Sequence, residues 1–191
     1  MTDLSNSSSN PLLLDFSDIE KREFGFLYSG SFKRKMQFFN KESLIKFMTM
    51  VKPKDCFVSN ARYESPISIS DFIGCDFFLD IDTEDGKIEN VYADALLALE
   101  ILEKDFGFKN IVMNKSGFKG YHLIVSDECV QDITPNERSE MVQYFQMKYK
   151  IASIDAQCSC DIHRLRRIEG TVNSKSGLLC KRLITRRENN G

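Results

Sequence analysis

The segment FFLDIDTEDG, residues 77–86, places two aspartates one residue apart at the end of an apolar run. Side chains of a β-strand alternate between its two faces, so Asp80 and Asp82 are predicted to share one face, opposite the apolar residues beside them. Two neighbouring carboxylates repel each other unless a cation lies between them, and their oxygens suit Mg²⁺ or Mn²⁺. The segment therefore predicts a strand that presents a metal site, although a strand that ends in a solvated acidic loop has the same pattern.

Strand and helix patterns alternate on both sides of this segment. Before it, REFGFLY and FKRKMQFF are predicted to form a hairpin, NKESLIKFMTMV a helix and CFVSNARY a strand, and IGCDFFLDID is predicted as one continuous strand. After it, VYADALLALEILEKDFGF and PNERSEMVQYFQMKYK are predicted helices, NIVMNKS and YHLIV are predicted strands, and the remainder is loop with short elements. This interleaving predicts a mixed α/β or α+β fold of two α/β units, with no internal repeat.

Length and composition indicate a single globular domain. The chain has 191 residues, of which 42% are hydrophobic and 28% charged, and residues 11–191 are predicted to form the domain after a disordered tail over residues 1–10. The six cysteines form no CxxC pair and follow no signal peptide, so thiols in a reducing cytoplasm are expected rather than disulfides. No apolar run approaches the length of a membrane span, so no membrane association is expected.

Charge is distributed unevenly along the chain. Residues 76–105 contain ten acids and two lysines, whereas residues 164–187 contain eight Lys or Arg and one acid. A basic segment favours phosphate and an acidic cluster favours a cation, although two solvated faces would give the same count.

Two further stretches carry groups that suit phosphate binding. In SGFKGYHLIV, residues 116–125, the glycines Gly117 and Gly120 would admit a phosphate close to the backbone, Lys119 would supply charge and His122 a hydrogen-bond donor. A glycine-rich hairpin with an exposed lysine is the alternative.

The second stretch, IDAQCSCDIHRLRRIEGTVNSKSGL, spans residues 154–178. Its Arg164, Arg167 and Lys175 could pair with a triphosphate or a template backbone, and Asp155 offers a third carboxylate. The alternative is an ordinary basic loop.

The cysteines of this stretch are considered as zinc ligands and set aside. Cys158, Cys160 and His163 have the spacing C-x-C-x2-H, which fits no common structural zinc site, and only the distant Cys180 could complete four ligands. No structural zinc is expected.

Taken in order, these stretches resemble the archaeo-eukaryotic primase superfamily, specifically the catalytic small subunit of archaeal and eukaryotic DNA primases. The resemblance runs from REFGF through SNARYESP, FFLDID and SGFKGYH to RLRRIEGTVNSKSGL. It implies an α/β unit packed on an RNA-recognition-motif-like unit, with the active site in the cleft between them. It also implies three catalytic, metal-binding acids, which are Asp80, Asp82 and Asp155. The residues that it implies for nucleotide binding are Ser116, Gly117, Lys119, His122, Arg164, Arg167, Lys175 and Arg34.

The chain departs from the family pattern in length and at two motif positions. Only 33 residues separate Asp82 from Ser116 and 32 separate His122 from Asp155, which leaves no space for the zinc-binding insertion and the helical subdomain that many members carry. Where the family has Pro and His in RLxRxPGSxHxKSG, this chain has Glu169 and Asn173. Asn173 can donate a hydrogen bond to phosphate but carries no charge.

The resemblance implies a template-directed nucleotidyltransferase that makes RNA or DNA primers with two Mg²⁺ or Mn²⁺ ions. The implied partners are single-stranded DNA, nucleoside triphosphates and a large subunit with an iron–sulfur cluster, either separate or fused. The implied location is the cytoplasm of an archaeal-like cell, or the nucleus in a eukaryote. Two alternatives stay open, which are a primase-polymerase that prefers deoxynucleotides and an inactive nucleic-acid-binding module.

Overall fold

The computed structural model describes residues 16–83 and 88–188, and the predicted tail over residues 1–10 lies outside these ranges. The described strands form two antiparallel sheets, one of five strands and one of four. Within the described residues, no helix is long and apolar enough to cross a bilayer.

The first sheet has the order β2-β1-β3-β4, with a short strand β8 also paired to β3. Its strands are β1 Arg22–Tyr28, β2 Ser31–Met36, β3 Asp55–Ser65, β4 Ser70–Cys75 and β8 Leu165–Arg167. Asn40 caps the N-terminus of helix α1, Lys41–Val51. Its side chain accepts a hydrogen bond from the backbone amide of Ser43, and the hydroxyl of Ser43 accepts one from the backbone amide of Asn40. The helix and the sheet share an apolar core built around Phe24, Phe26 and Leu44.

The strands of the second sheet lie side by side in the order β5-β7-β6-β9. Along the chain, helices separate β5 from β6 and β7 from β9. Its elements are β5 Phe77–Asp82, α2 Ile88–Lys104, β6 Ile111–Lys115, β7 Gly120–Val125, α3 Pro135–Lys148, a short α4 Ala156–Cys160 and β9 Lys181–Arg186. One face of the sheet packs on the helices through side chains such as Leu79, Leu99 and Phe145. The other face points to the cleft between the sheets.

Two features differ from the sequence prediction. The run IGCDFFLDID is two strands, β4 and β5, which belong to different sheets and separate at Asp76. The basic segment near the C-terminus contributes the strand β9 to the second sheet, in a stretch that was predicted only as loop with short elements. β5 pairs with β7 and β9 pairs with β6, both of which lie far away in sequence, so local pattern did not reveal these pairings.

Buried guanidinium groups hold the junction between the two sheets. Arg22 of β1 donates to the carboxylate of Asp76 at 3.0 Å, and both side chains are almost completely buried. Arg138 of α3 donates to the carbonyl oxygens of Cys75 at 2.8 Å and Asp76 at 3.0 Å. A strand of the first sheet and a helix packed on the second sheet therefore each contribute an arginine at the point where the chain crosses.

Replacing Asp76 with alanine is expected to lower the free energy of unfolding by about 3–5 kcal/mol, because the buried Arg22 loses its carboxylate. Urea unfolding measures the change. The double variant Arg22→Met, Asp76→Leu is expected to recover part of the loss, because it removes both charges. Lys104→Met is the control, since Lys104 pairs with Glu100 on an exposed helix surface, and it is expected to change stability little. Similar losses for Asp76→Ala and Lys104→Met would contradict this account.

Candidate active site

Strand β5 presents Asp80 and Asp82 to the cleft, as the alternation predicts. Leu79 and Ile81 are fully buried on the opposite face, against the helices. In the register with β7, Asp80 lies opposite His122 and Asp82 lies opposite Gly120. The two carboxylates therefore share one face with the residues of the SGFKGYH stretch.

Backbone pairing brings Asp155 beside this strand from 73 residues downstream of Asp82. The amide of Asp82 donates to the carbonyl of Ser153 at 2.8 Å, and the amide of Asp155 donates to the carbonyl of Asp80 at 2.8 Å. Asp155 is also the N-cap of α4, and its Oδ1 accepts a hydrogen bond from the amide of Cys158 at 2.9 Å. The carboxylate of Asp155 is therefore held by local structure next to Asp80.

The carboxylates of Asp80 and Asp155 and the thiol of Cys158 form a cluster that could hold a metal ion. Their ligand atoms all lie within 4.8 Å of one another. Asp82 is not in this cluster, and its carboxylate contacts the ammonium of Lys119 at 3.1 Å. Sequence reasoning considered Cys158 only as a zinc ligand with Cys160 and His163, and the structure instead places its thiol beside two predicted catalytic acids.

Burial and, to a smaller extent, the nearby charge of Asp82 raise the pKa of Asp80 to about 7, while the charge of Arg164 opposes the rise. The pKa of Asp155 lies below its usual value. Burial alone would raise this pKa, but hydrogen bonds from Cys158 lower it by more. The cluster therefore carries negative charge that its protein surroundings do not fully offset. A divalent cation fits such a donor set, because two of its ligand atoms are carboxylate oxygens.

His122 is neutral in this environment. Its side chain is about 10% exposed, and its Nε2 lies 3.7 Å from Oδ1 of Asp80. Burial, together with the charges of Arg166, Arg167 and Arg164, lowers its pKa to about 3. Its Nδ1 is buried and has no hydrogen-bond partner among the described residues. His122 can therefore donate or accept a hydrogen bond at this site but brings no positive charge.

The loop between β6 and β7 requires both of its glycines. A Cβ atom on Gly120 would lie 2.1 Å from Oδ1 of Asp82, and Gly117 has φ +84° and would place a Cβ 2.9 Å from the carbonyl oxygen of Leu178. The hydroxyl of Ser116 accepts a hydrogen bond from the amide of Gly120 at 3.3 Å. In this structure Gly117 makes its close approach to the 178–180 segment of the chain, whereas the sequence interpretation assigned that approach to a phosphate.

A cavity of about 150 Å³ lies in the cleft in front of β5, and we call it the catalytic cavity. The predicted site residues that line it are Asp80, Asp82, Ser116, Lys119, His122, Arg164 and Arg167. Asn173, which stands at the position of the family histidine, lines it as well.

The structure places the other predicted site residues outside the lining of this cavity. Asp155 lies in the cluster with Asp80 and Cys158, Gly117 lies in the loop between β6 and β7, and Lys175 is exposed. Arg34 makes two hydrogen bonds to the carboxylate of Glu23, at 2.8 and 2.9 Å, and lines an adjoining cavity together with Arg164.

Asp55 is a residue of the site region that sequence reasoning missed. Its Oδ1 contacts Nη1 of Arg167 at 2.6 Å and accepts a hydrogen bond from the amide of Ser174 at 3.0 Å. The guanidinium of Arg167 also lies over the ring of Phe57, 4.7 Å from its centre. Asp55 therefore fixes both the arginine and the loop that follows it, through contacts that no local pattern signals.

Comparison with known proteins agrees with the resemblance. A family model described as DNA primase small subunit matches residues 77–150. DNA primase small subunit PriS of Pyrobaculum calidifontis is 26% identical over 238 aligned residues, which cover 95% of this chain and 76% of that protein. The protein of the same name from Thermococcus sibiricus is 30% identical over 156 residues, which cover 73% of this chain and 45% of that protein.

The Pyrobaculum alignment is longer than the 191 residues of this chain, so that relative has additional residues inside the aligned region. This agrees with the expectation of a minimal core.

Solved structures share the fold. The AEP domain of the cyanophage S-2L primase-polymerase has a TM-score of 0.57 at 11% identity, covering 90% of this chain and 84% of that chain. Primase RepB′ has a TM-score of 0.55 at 11% identity, covering 88% and 52%. With the family match and the relatives, these findings show that the chain belongs to the archaeo-eukaryotic primase superfamily, as a relative of the DNA primase small subunit.

Proposed function

We propose that this chain is a template-directed nucleotidyltransferase that synthesises short primers on single-stranded DNA. The observation that carries the proposal is the arrangement of three carboxylates from distant parts of the sequence at the edge of a basic cavity. Asp80 and Asp82 come from β5, and backbone pairing with that strand holds Asp155 beside Asp80.

Asp80, Asp82 and Asp155 would hold two Mg²⁺ or Mn²⁺ ions. When bound, such ions lower the pKa of an attacking 3′-hydroxyl and neutralise charge that develops on the α-phosphate and the leaving pyrophosphate. The cation cluster and the cavity share Asp80, which supports binding of ions and nucleotide at one place.

The side chains that line the catalytic cavity would position the triphosphate and offset its negative charge. Arg164 is exposed and Lys119 partly exposed at the catalytic cavity, where both could bind the triphosphate. Arg167, held by Asp55, would present a fixed guanidinium, and neutral His122 would donate a hydrogen bond without adding charge. Most of the rate enhancement would then come from orientation and electrostatic stabilisation, as is general for phosphoryl transfer.

The proposed ligands are a single-stranded DNA template and nucleoside triphosphates, and the proposed partner is a primase large subunit. The name of the relatives, DNA primase small subunit, supports the partner. The second candidate activity is that of a primase-polymerase that prefers deoxynucleotides, and the fold shared with a cyanophage primase-polymerase domain is compatible with it. The presence of all three carboxylates argues against an inactive binding module.

Asp80→Asn and Asp82→Asn are each expected to abolish nucleotide incorporation, because each removes a charged metal ligand while the fold is kept. The assay follows primer synthesis on single-stranded DNA with labelled ribo- or deoxynucleotides and Mg²⁺ or Mn²⁺, with and without a large subunit. Glu100→Gln is the matched control, since Glu100 lies on the exposed surface of α2. Near-normal incorporation by either aspartate variant would remove the basis of the mechanism. Exclusive use of deoxynucleotides would favour the second candidate activity.

Asp80 is also expected to reduce stability when no cation is bound. Its pKa is about 7 in the folded chain, well above its value of about 3.9 in an unfolded chain. The folded state therefore binds the proton more tightly, and this contribution to stability is lost as the pH rises from about 4 to about 7.

In a metal-chelating buffer at about pH 8, Asp80→Asn is therefore expected to raise the melting temperature by several degrees. The difference from wild type should shrink as the pH falls towards about 4. Added Mn²⁺ should raise the melting temperature of the wild type more than that of Asp80→Asn. A difference that does not change with pH would contradict the assignment.

A further inference from the structure

A second cavity, of about 320 Å³, lies in the cleft beside the catalytic cavity. On β7, His122 faces the catalytic cavity, and Ile124, two residues further along, faces the second. The consecutive residues Arg166 and Arg167 of β8 line both. None of the three carboxylates that would hold metal lines the second cavity, so it is distinct from the candidate metal site.

Positive charge dominates the lining of the second cavity. Six basic side chains line it, against two acidic ones. Three of the arginines already have carboxylate partners at 2.6–3.0 Å, and these pairs are Arg22 with Asp76, Arg167 with Asp55, and Arg182 with Glu169.

Arg166 differs from these three arginines. It is only 8% exposed, and its Nη1 donates to the carbonyl oxygen of Ser59 at 3.1 Å. Among the residues whose side chains are described, no carboxylate lies within 4 Å of it. Burial and the neighbouring charge of Arg22 lower its pKa to about 10, although the charge of Asp76 acts in the opposite direction, so Arg166 remains protonated at neutral pH. Asp76 is paired with Arg22, so the buried charge of Arg166 lacks a direct carboxylate partner, and an anionic ligand in the cavity would supply one.

Asn114 of β6 adds an unused hydrogen-bond acceptor. Its side chain is buried and lines the second cavity, and its Oδ1 has no partner among the described residues. A buried amide oxygen normally accepts a hydrogen bond, so a ligand here should carry an N–H or O–H donor. Val58, Val112 and Ile124 form apolar walls next to it. The ligand should therefore combine an anionic group, a donor and an apolar surface.

We propose that the second cavity binds a nucleoside phosphate, with its phosphate against Arg166 and a donor of its base or sugar on Asn114. The volume lies at the lower end of small-molecule pockets and suits a mononucleotide. This inference does not depend on the proposed transfer reaction.

Calorimetric titration of the four nucleoside 5′-monophosphates in a metal-chelating buffer tests the proposal. Inorganic phosphate and a single-stranded oligonucleotide are titrated separately. At least one monophosphate is expected to bind with one-to-one stoichiometry, about tenfold more tightly than inorganic phosphate. Asn114→Leu and Arg166→Met should each weaken this binding about tenfold or more. Lys119 lines the catalytic cavity but not the second cavity. Lys119→Met should therefore leave the affinity for the monophosphate unchanged.

Folding is checked independently by circular dichroism and thermal unfolding. Arg166→Met removes a buried charge that lacks a direct carboxylate partner and gives up one hydrogen bond to Ser59, so its melting temperature is expected to stay close to that of wild type. Four results would overturn the proposal. The first two are that no monophosphate binds, or that inorganic phosphate binds as tightly as the monophosphates. The other two are that binding is lost in Lys119→Met but kept in Asn114→Leu, or that an oligonucleotide binds through Asn114 and no monophosphate does.

Discussion

The buried junction at Asp76 determines the geometry of the whole molecule. There the chain leaves one sheet and enters the other without an intervening linker, and Arg22 and Arg138 bind the junction from opposite sides. A buried ion pair of this kind contributes less to net stability than to a defined arrangement, because desolvation offsets much of its attraction. Its role here is to fix the position of β5 relative to the first sheet, and the cleft and both of its cavities follow from that position.

The candidate site is organised before any ligand arrives. Backbone hydrogen bonds align the Asp155 segment with β5, and a helix cap orients the carboxylate of Asp155. Such preorganisation has a cost, since a carboxyl group kept beside other carboxylates in a buried place resists ionisation, as the raised pKa of Asp80 reflects. Groups arranged for chemistry at the expense of stability are expected at functional sites.

Local rules predicted much of the fold and part of the site. Strand alternation placed Asp80 and Asp82 on one face, and apolar spacing predicted helix α1 within residues 40–51. The residues marked Asp155 only as a third available carboxylate, and the family resemblance gave it a catalytic role, since nothing in its local sequence signals that it meets β5. The division of a continuous apolar run at Asp76, the pairing of β9, and the position of Cys158 beside two carboxylates escaped prediction. Each of these depends on contacts between residues distant in sequence, and the roles given to the site residues stay predictions.

Among the described strands, the chain passes between the two sheets three times, from β4 to β5, from β7 to β8 and from β8 to β9. Three passages connect the two sheets, and the one at Asp76 is short and buried. Units connected in this way are less free to swing about a single hinge than domains joined by one linker. We therefore expect the width of the cleft to vary little, so that discrimination among substrates depends more on fit to a preformed shape than on closure of one unit over the other.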